Sequence, residues 1–119
     1  MFREILEGIV ERVGGGIGAV LMGYDGIAID HFFKPCEEID LQLAAVEYAN
    51  VLKDIRNIVE ILNTGEMEEV SIRTGRYFVI IRAVTAEYFV ALTLEQNGNF
   101  GKGRYLLQRE AQSLREGLL

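Results

Sequence analysis

The chain has 119 residues, half of them hydrophobic and a quarter charged, with a formal net charge of −6. That length makes one domain, residues 1–119, able to bury roughly two thirds of its unfolded surface without covalent staples. A single proline and an ordinary apolar content exclude a disordered chain, the acidic balance without any Lys or Arg run excludes nucleic acid as a partner, and the lone Cys36 excludes an intramolecular disulfide. Glu4, Glu7 and Glu11 interrupt the N-terminal apolar positions, so neither a leader nor a membrane-length stretch is read. A cytoplasmic chain with no membrane insertion is the expectation.

Phe2, Ile5, Leu6, Ile9, Val10 and Val13 recur at spacings of three and four, opposite Arg3, Glu4, Glu7, Glu11 and Arg12. This predicts a short amphipathic cover helix. Gly14, Gly15 and Gly16 stop it, because consecutive glycines carry the largest conformational-entropy cost in a helix. The segment GAVLMGYDGIAIDHF that follows is two apolar runs joined at Asp25-Gly26. Both residues tolerate positive φ, which predicts a hairpin closed by a two-residue type I′ turn. The first strand, residues 17–24, is too continuously apolar to leave one face in water. Lys34-Pro35-Cys36 ends the second strand, and Asp40 is placed to cap the next helix.

Leu41, Ala44, Ala45, Tyr48, Val51, Leu52, Ile55, Ile58, Val59 and Leu62 predict a helix over residues 41–62. At about 1.5 Å per residue it is roughly 30 Å long, enough to cross a sheet. Glu47, Asn50, Lys53, Asp54, Asn57 and Glu60 form its polar side, while Val46 and Ile61 fall outside the main apolar stripe. The apolar face is therefore wider than one sheet contact needs, and a second chain would cover the excess. Asn63-Thr64-Gly65 ends this helix. Residues 67–73 then alternate, with Val70 and Ile72 on one face and Glu69, Ser71 and Arg73 on the other, as in a half-exposed or edge strand. Thr74-Gly75 turns the chain into a doubly buried strand at 77–84, and 88–94 is the last strand. Asn97-Gly98-Asn99, Gly101 and Gly103 lead into a helix over 105–119 through Leu106, Leu107, Ala111, Leu114 and Leu118. The order α-β-β-α-β-β-β-α reads as an α+β chain.

Candidate chemistry is thin. Gly14, Gly16 and Ala19 match a G-x-G-x-x-A phosphate loop, but such a loop follows a strand and opens a helix, the reverse of this order. No G-x-x-x-x-G-K-[ST] loop is present, so the chain is not itself read as a GTPase. Asp30, His31, Cys36, Glu37, Glu38 and Asp40 lie close in sequence and include zinc-binding residue types, yet they lack a recognisable ligand spacing. His31 has no Ser or Cys at a diagnostic spacing for nucleophilic catalysis. Arg73, Arg76 and Arg82 could stabilise phosphoryl-transfer charge in a partner's site, although strand-end arginines commonly serve only solubility and pairing. Catalytic, cofactor and metal sites are accordingly all read as none, and the chain as a binding protein and not an enzyme.

The hairpin segment, the long helix and the closing GNFGKGRYLLQREAQSLRE together resemble the Roadblock/LC7 family, in particular its bacterial stand-alone domains of the MglB type. The resemblance spans essentially the whole chain. It implies a profilin-like α/β sandwich, a five-stranded, mostly antiparallel sheet covered by helices on both faces. It also implies a homodimer in which Met67, Glu69, Val70, Ser71, Ile72 and Arg73 pair with their two-fold mates, while Val51, Ile55 and Ile58 face the second long helix. The edge character of residues 67–73 agrees with that pairing. The resemblance further implies a small Ras-like GTPase as partner, its hydrolysis modulated by contact with Glu47, Asn50, Lys53, Asp54 and Asn57. A second reading is a dimeric scaffold or adaptor subunit that leaves hydrolysis alone. A third, a small-molecule sensor, draws no support from any polar constellation in the sequence.

Overall fold

The computed structural model describes residues 1–35 and 40–119. Helix α1 (Phe2–Arg12) leads to strands β1 (Gly16–Gly23) and β2 (Ala28–Phe33), then helix α2 (Leu41–Leu62). Strands β3 (Glu69–Arg73), β4 (Tyr77–Ala83) and β5 (Tyr88–Glu95) follow, and helix α3 (Phe100–Gly117) closes the chain. The strands form one sheet in the order β2-β1-β5-β4-β3 with every neighbouring pair antiparallel. β1 and β5 are central, and β2 and β3 are the edges.

Side-chain alternation assigns the two cores. Ala19 and Leu21 of β1, with Ile80, Leu92 and Leu94, pack against Leu6, Ile9 and Val10 of α1 and Leu106, Leu107 and Leu114 of α3. Val20 and Met22, with Val79, Ile81, Phe89 and Ala91, pack against Ala45, Ala49 and Leu52 of α2. A central strand with helices on both sides has no water-facing side, which is why all of β1 is buried and why its sequence shows no polar alternation. The result is the expected α+β sandwich.

Three local expectations are corrected. The hairpin forms, but not through a two-residue type I′ turn. Gly23 N–H donates to the Ile27 carbonyl at 3.0 Å and Gly26 N–H to the Gly23 carbonyl at 2.9 Å, leaving a three-residue loop. Only Gly26 is left-handed there, at φ 88°, as in a type I turn closed by a glycine bulge. The extra residue lets Tyr24 turn inward against Phe89, with ring centroids 5.2 Å apart. The second correction concerns α3, which begins at Phe100 and not at Tyr105. Asn99 caps it by accepting from Lys102 N–H at 3.1 Å. Gly103 lies inside the helix, where a Cβ would stand 3.0 Å from Ile80 Cδ1; its absence lets α3 ride close on the sheet. The third is β3, whose ladder starts at Glu69, with Met67 packed half-buried under the α2-side core.

The long helix keeps its predicted bounds. Asp40 accepts from Leu43 N–H at 3.0 Å at one end, and Asn63 adopts the left-handed conformation at φ 53° at the other. Both are chain-local devices that satisfy otherwise unpaired backbone groups at a helix terminus.

Candidate functional site: the α2 flank and the β3 edge

The single apolar stripe read on α2 resolves into two. Leu41, Ala45, Ala49 and Leu52 are buried on the sheet. Ala44, Tyr48, Val51, Ile55, Ile58 and Leu62 run along a separate flank, roughly a quarter turn round the helix. Their steps of four, three, four, three and four are the heptad spacing of a helix–helix seam. Much of that seam is open to water: Val51 is 56%, Ile58 55% and Leu62 64% exposed. Of the predicted interface residues on α2, Val51 and Ile58 are thus exposed and Ile55 half-buried.

Glu47, Asn50, Lys53, Asp54 and Asn57 are all exposed, on the side of α2 turned away from the sheet. None of the five side chains makes a hydrogen bond or ion pair with another described residue. Between them lie two exposed apolar residues, Leu43, which the sequence reading did not assign to any contact, and the 82% exposed Ile61, which it counted as excess for a second chain to cover. The polar neighbours of Leu43 hid its signal.

The β3 edge divides as its alternation predicted. Val70 and Ile72 join the α2-side cluster with Met67 and Tyr48, so the helix flank and the strand edge are continuous on one face. Glu69 lies on the α3 side, held by Arg104 through Nε at 3.0 Å and Nη2 at 2.9 Å. Ser71 and Arg73 are exposed. Arg73 lies over the Phe78 ring, 5.2 Å from its centroid, and forms no ion pair among the described residues.

The other arginines singled out in the sequence are placed differently. Arg76 lies over the Tyr77 ring at 5.5 Å. Arg82 is largely enclosed, its Nε buried without a hydrogen-bond partner among the described residues and its Nη2 3.8 Å from Glu68, so its guanidinium is not presented to a partner's active site. Sequence reasoning missed Arg56. It donates to the Ala86 carbonyl at 2.8 Å and covers the Tyr24 ring at 4.3 Å, tying α2 to the β4–β5 turn. Near this end of the sheet an open depression of about 770 Å³ is lined by Arg56, Arg82 and Arg115 together with Glu60, Glu66 and Glu68. Guanidinium and carboxylate groups alternate there, and no single charge is selected.

His31 stacks on Phe33 at 4.5 Å, and its carbonyl accepts from Arg3. Cys36, Glu37 and Glu38 lie outside the described residues; among the described residues no group of three or more His, Cys, Asp or Glu is placed to hold a metal. Gly14 and Gly16 sit where α1 hands the chain to β1, the opposite of a phosphate loop's strand-to-helix order. Among the described residues no helix is long and apolar enough to cross a membrane.

No protein-family model matches the chain, and no curated protein matches it significantly. Solved structures do. The chain is 44% identical to MglC from Myxococcus xanthus over 98% of both chains, with a TM-score of 0.71. The Roadblock/LC7 domain from Streptomyces avermitilis superposes at a TM-score of 0.84 with 16% identity, over 97% of this chain and 95% of that one. An MglB described as having a tetrameric arrangement gives 0.84 with 17% identity, over 95% of this chain and 84% of that one. The profilin-like layout is shared with Acanthamoeba castellanii profilin II. The last three likenesses are of fold alone, whereas the identity with MglC runs the full length of both chains. With that sequence likeness and the Streptomyces domain superposing on the same architecture, the chain belongs to the Roadblock/LC7 family.

Proposed function

We propose that this chain is a homodimeric adaptor in the regulation of a small Ras-like GTPase, acting in the cytoplasm by binding and contributing no catalytic group of its own. The observation that carries this reading is the open heptad seam on α2 beside an unpaired strand edge. Apolar surface costs about 25 cal/mol for each Å² left in water, and an uncovered edge invites another strand. A second copy meets both needs at once, through Val51, Ile55 and Ile58 on the helix and Met67, Glu69, Val70, Ser71, Ile72 and Arg73 on the strand. The tetrameric arrangement described for one MglB supports assembly through domains of this fold.

Two α2 helices side by side would present Glu47, Asn50, Lys53, Asp54 and Asn57 as one doubled surface, with Leu43 and Ile61 as apolar anchors. A specific contact needs about 800 Å² per partner, more than one helix's polar strip supplies. Doubling makes the surface adequate for the GTPase.

Whether the adaptor also accelerates hydrolysis turns on its arginines. Arg82 is largely enclosed and Arg73 lies at the proposed strand pairing, which favours holding the partner over stimulating it. The test measures binding and GTP turnover of the candidate GTPase with and without this protein. Binding with unchanged turnover is expected. Accelerated turnover would establish the activating alternative, and absence of binding would remove the GTPase as partner. A monomer in sedimentation at micromolar concentration would overturn the dimer.

A further inference from the structure

In an antiparallel ladder, successive residues direct their backbone groups to opposite sides of the strand. Ala83 N–H donates to the Glu68 carbonyl at 3.0 Å, and Thr74 N–H donates to the Tyr77 carbonyl at 2.9 Å. The register from Glu69 opposite Arg82 to Arg73 opposite Phe78 therefore places Val70 and Ile72, with residues 68 and 74, in the set bonded to β4. The N–H and C=O groups of Glu69, Ser71 and Arg73 point the other way, off the sheet. The side chains of those same three residues share the α3-side face and read acid, hydroxyl, base.

That sequence is complementary to its own reverse. Resting on the homodimer reading above, we propose that two β3 strands pair antiparallel about a two-fold axis at Ser71, with Glu69 opposite the partner's Arg73. Outward-bonding residues must face one another, which puts the axis at a residue; at Glu69 or Arg73 like charges would oppose, leaving Val70, Ser71 or Ile72. An axis at Val70 sets Glu69 against Ser71 and Arg73 against Met67. One at Ile72 sets Arg73 against Ser71 and Glu69 against Gly75. Only the axis at Ser71 uses the whole of Glu69–Arg73, matches both charges and sets Val70 against Ile72 on the α2 side. Arg73, which has no ion pair within the described residues, gains a carboxylate. That carboxylate is already oriented, because Arg104 holds Glu69 from its own chain through two contacts. The dimer then carries an Arg104–Glu69–Arg73 bridge on each side of the axis.

The test is disulfide trapping on a Cys36→Ser background, with single cysteines at 69, 70, 71, 72 and 73 and sedimentation run in parallel. Directly opposed bonded residues have Cα atoms about 5.5 Å apart, inside the roughly 4.4–6.8 Å that a disulfide spans. Ser71→Cys is expected to cross-link to its mate, and Glu69→Cys alone is not, since two such positions would lie roughly 14 Å apart. The double variant Glu69→Cys/Arg73→Cys should cross-link again. Arg73→Glu should weaken dimerisation about tenfold and Arg73→Lys should retain it. Self-cross-linking at Val70→Cys or Ile72→Cys instead would overturn the register and leave the dimer standing. A sedimenting dimer with no cross-link at any position would overturn the strand pairing, and a monomeric wild-type chain would overturn the homodimer itself.

Discussion

Tyr24 carries the hairpin's contribution to the α2-side core. Its ring packs on Phe89 and lies under the Arg56 guanidinium. Burial pushes the phenol above its ordinary value of 10.0, because the low-dielectric surroundings disfavour the phenolate, while the Arg56 charge pulls modestly the other way. Tyr48 is raised as well, by burial alone. A group whose folded pKa is raised supports the fold fully below its unfolded pKa and loses that support as pH climbs through the folded value. Thermal stability should therefore hold up to about pH 10 and fall above it, with a shallower fall in Tyr24→Phe/Tyr48→Phe. Melting curves between pH 8 and 12 check this, and an equally steep loss in the double variant would refute it. The inward turn of Tyr24 also explains why the hairpin was legible and its turn type was not. Asp25-Gly26 announces a reversal, but whether the loop has two residues or three depends on Phe89 and Arg56, distant in sequence.

At the scale of elements, α2 carries two apolar stripes with different partners. Leu52 fills the core, so Leu52→Ala should cost about 2–5 kcal/mol in urea unfolding of the monomer. Ile58 is open to solvent in the single chain. Ile58→Glu should leave monomer stability within about 0.5 kcal/mol while shifting the proposed dimer toward monomer in sedimentation. Equal destabilisation by the two changes would mean that the stripes are not separate. The period of three and four was plain in the sequence, as were the Asp40 and Asn63 ends. Periodicity cannot say which apolar residue meets the sheet and which meets something else, because both stripes obey it. The start of α3 was obscured for a related reason: Gly101 and Gly103 look like loop residues, and only contact with Ile80 explains why a glycine serves within the helix.

At the scale of the whole molecule, the layers leave one side of α2 free of any structural duty, and the proposed partner surface lies there. Replacing Asn50 with Leu together with Lys53→Glu should abolish binding of the GTPase without dissociating the dimer. Titration calorimetry paired with sedimentation measures both, and undiminished binding would move the contact elsewhere. Element order, the doubly covered first strand, the two-faced alternation of β3 and the bounds of the long helix were determined by sequence alone, because they arise from local backbone preferences and the spacing of apolar residues. The tertiary structure alone decided which strands lie at the edges, that the α2 stripe is two, that Glu69 is clamped by Arg104 while Arg73 forms no ion pair among the described residues, and that Arg82 is enclosed. Those facts depend on neighbours far apart in the chain, and no local pattern encodes which neighbours they are.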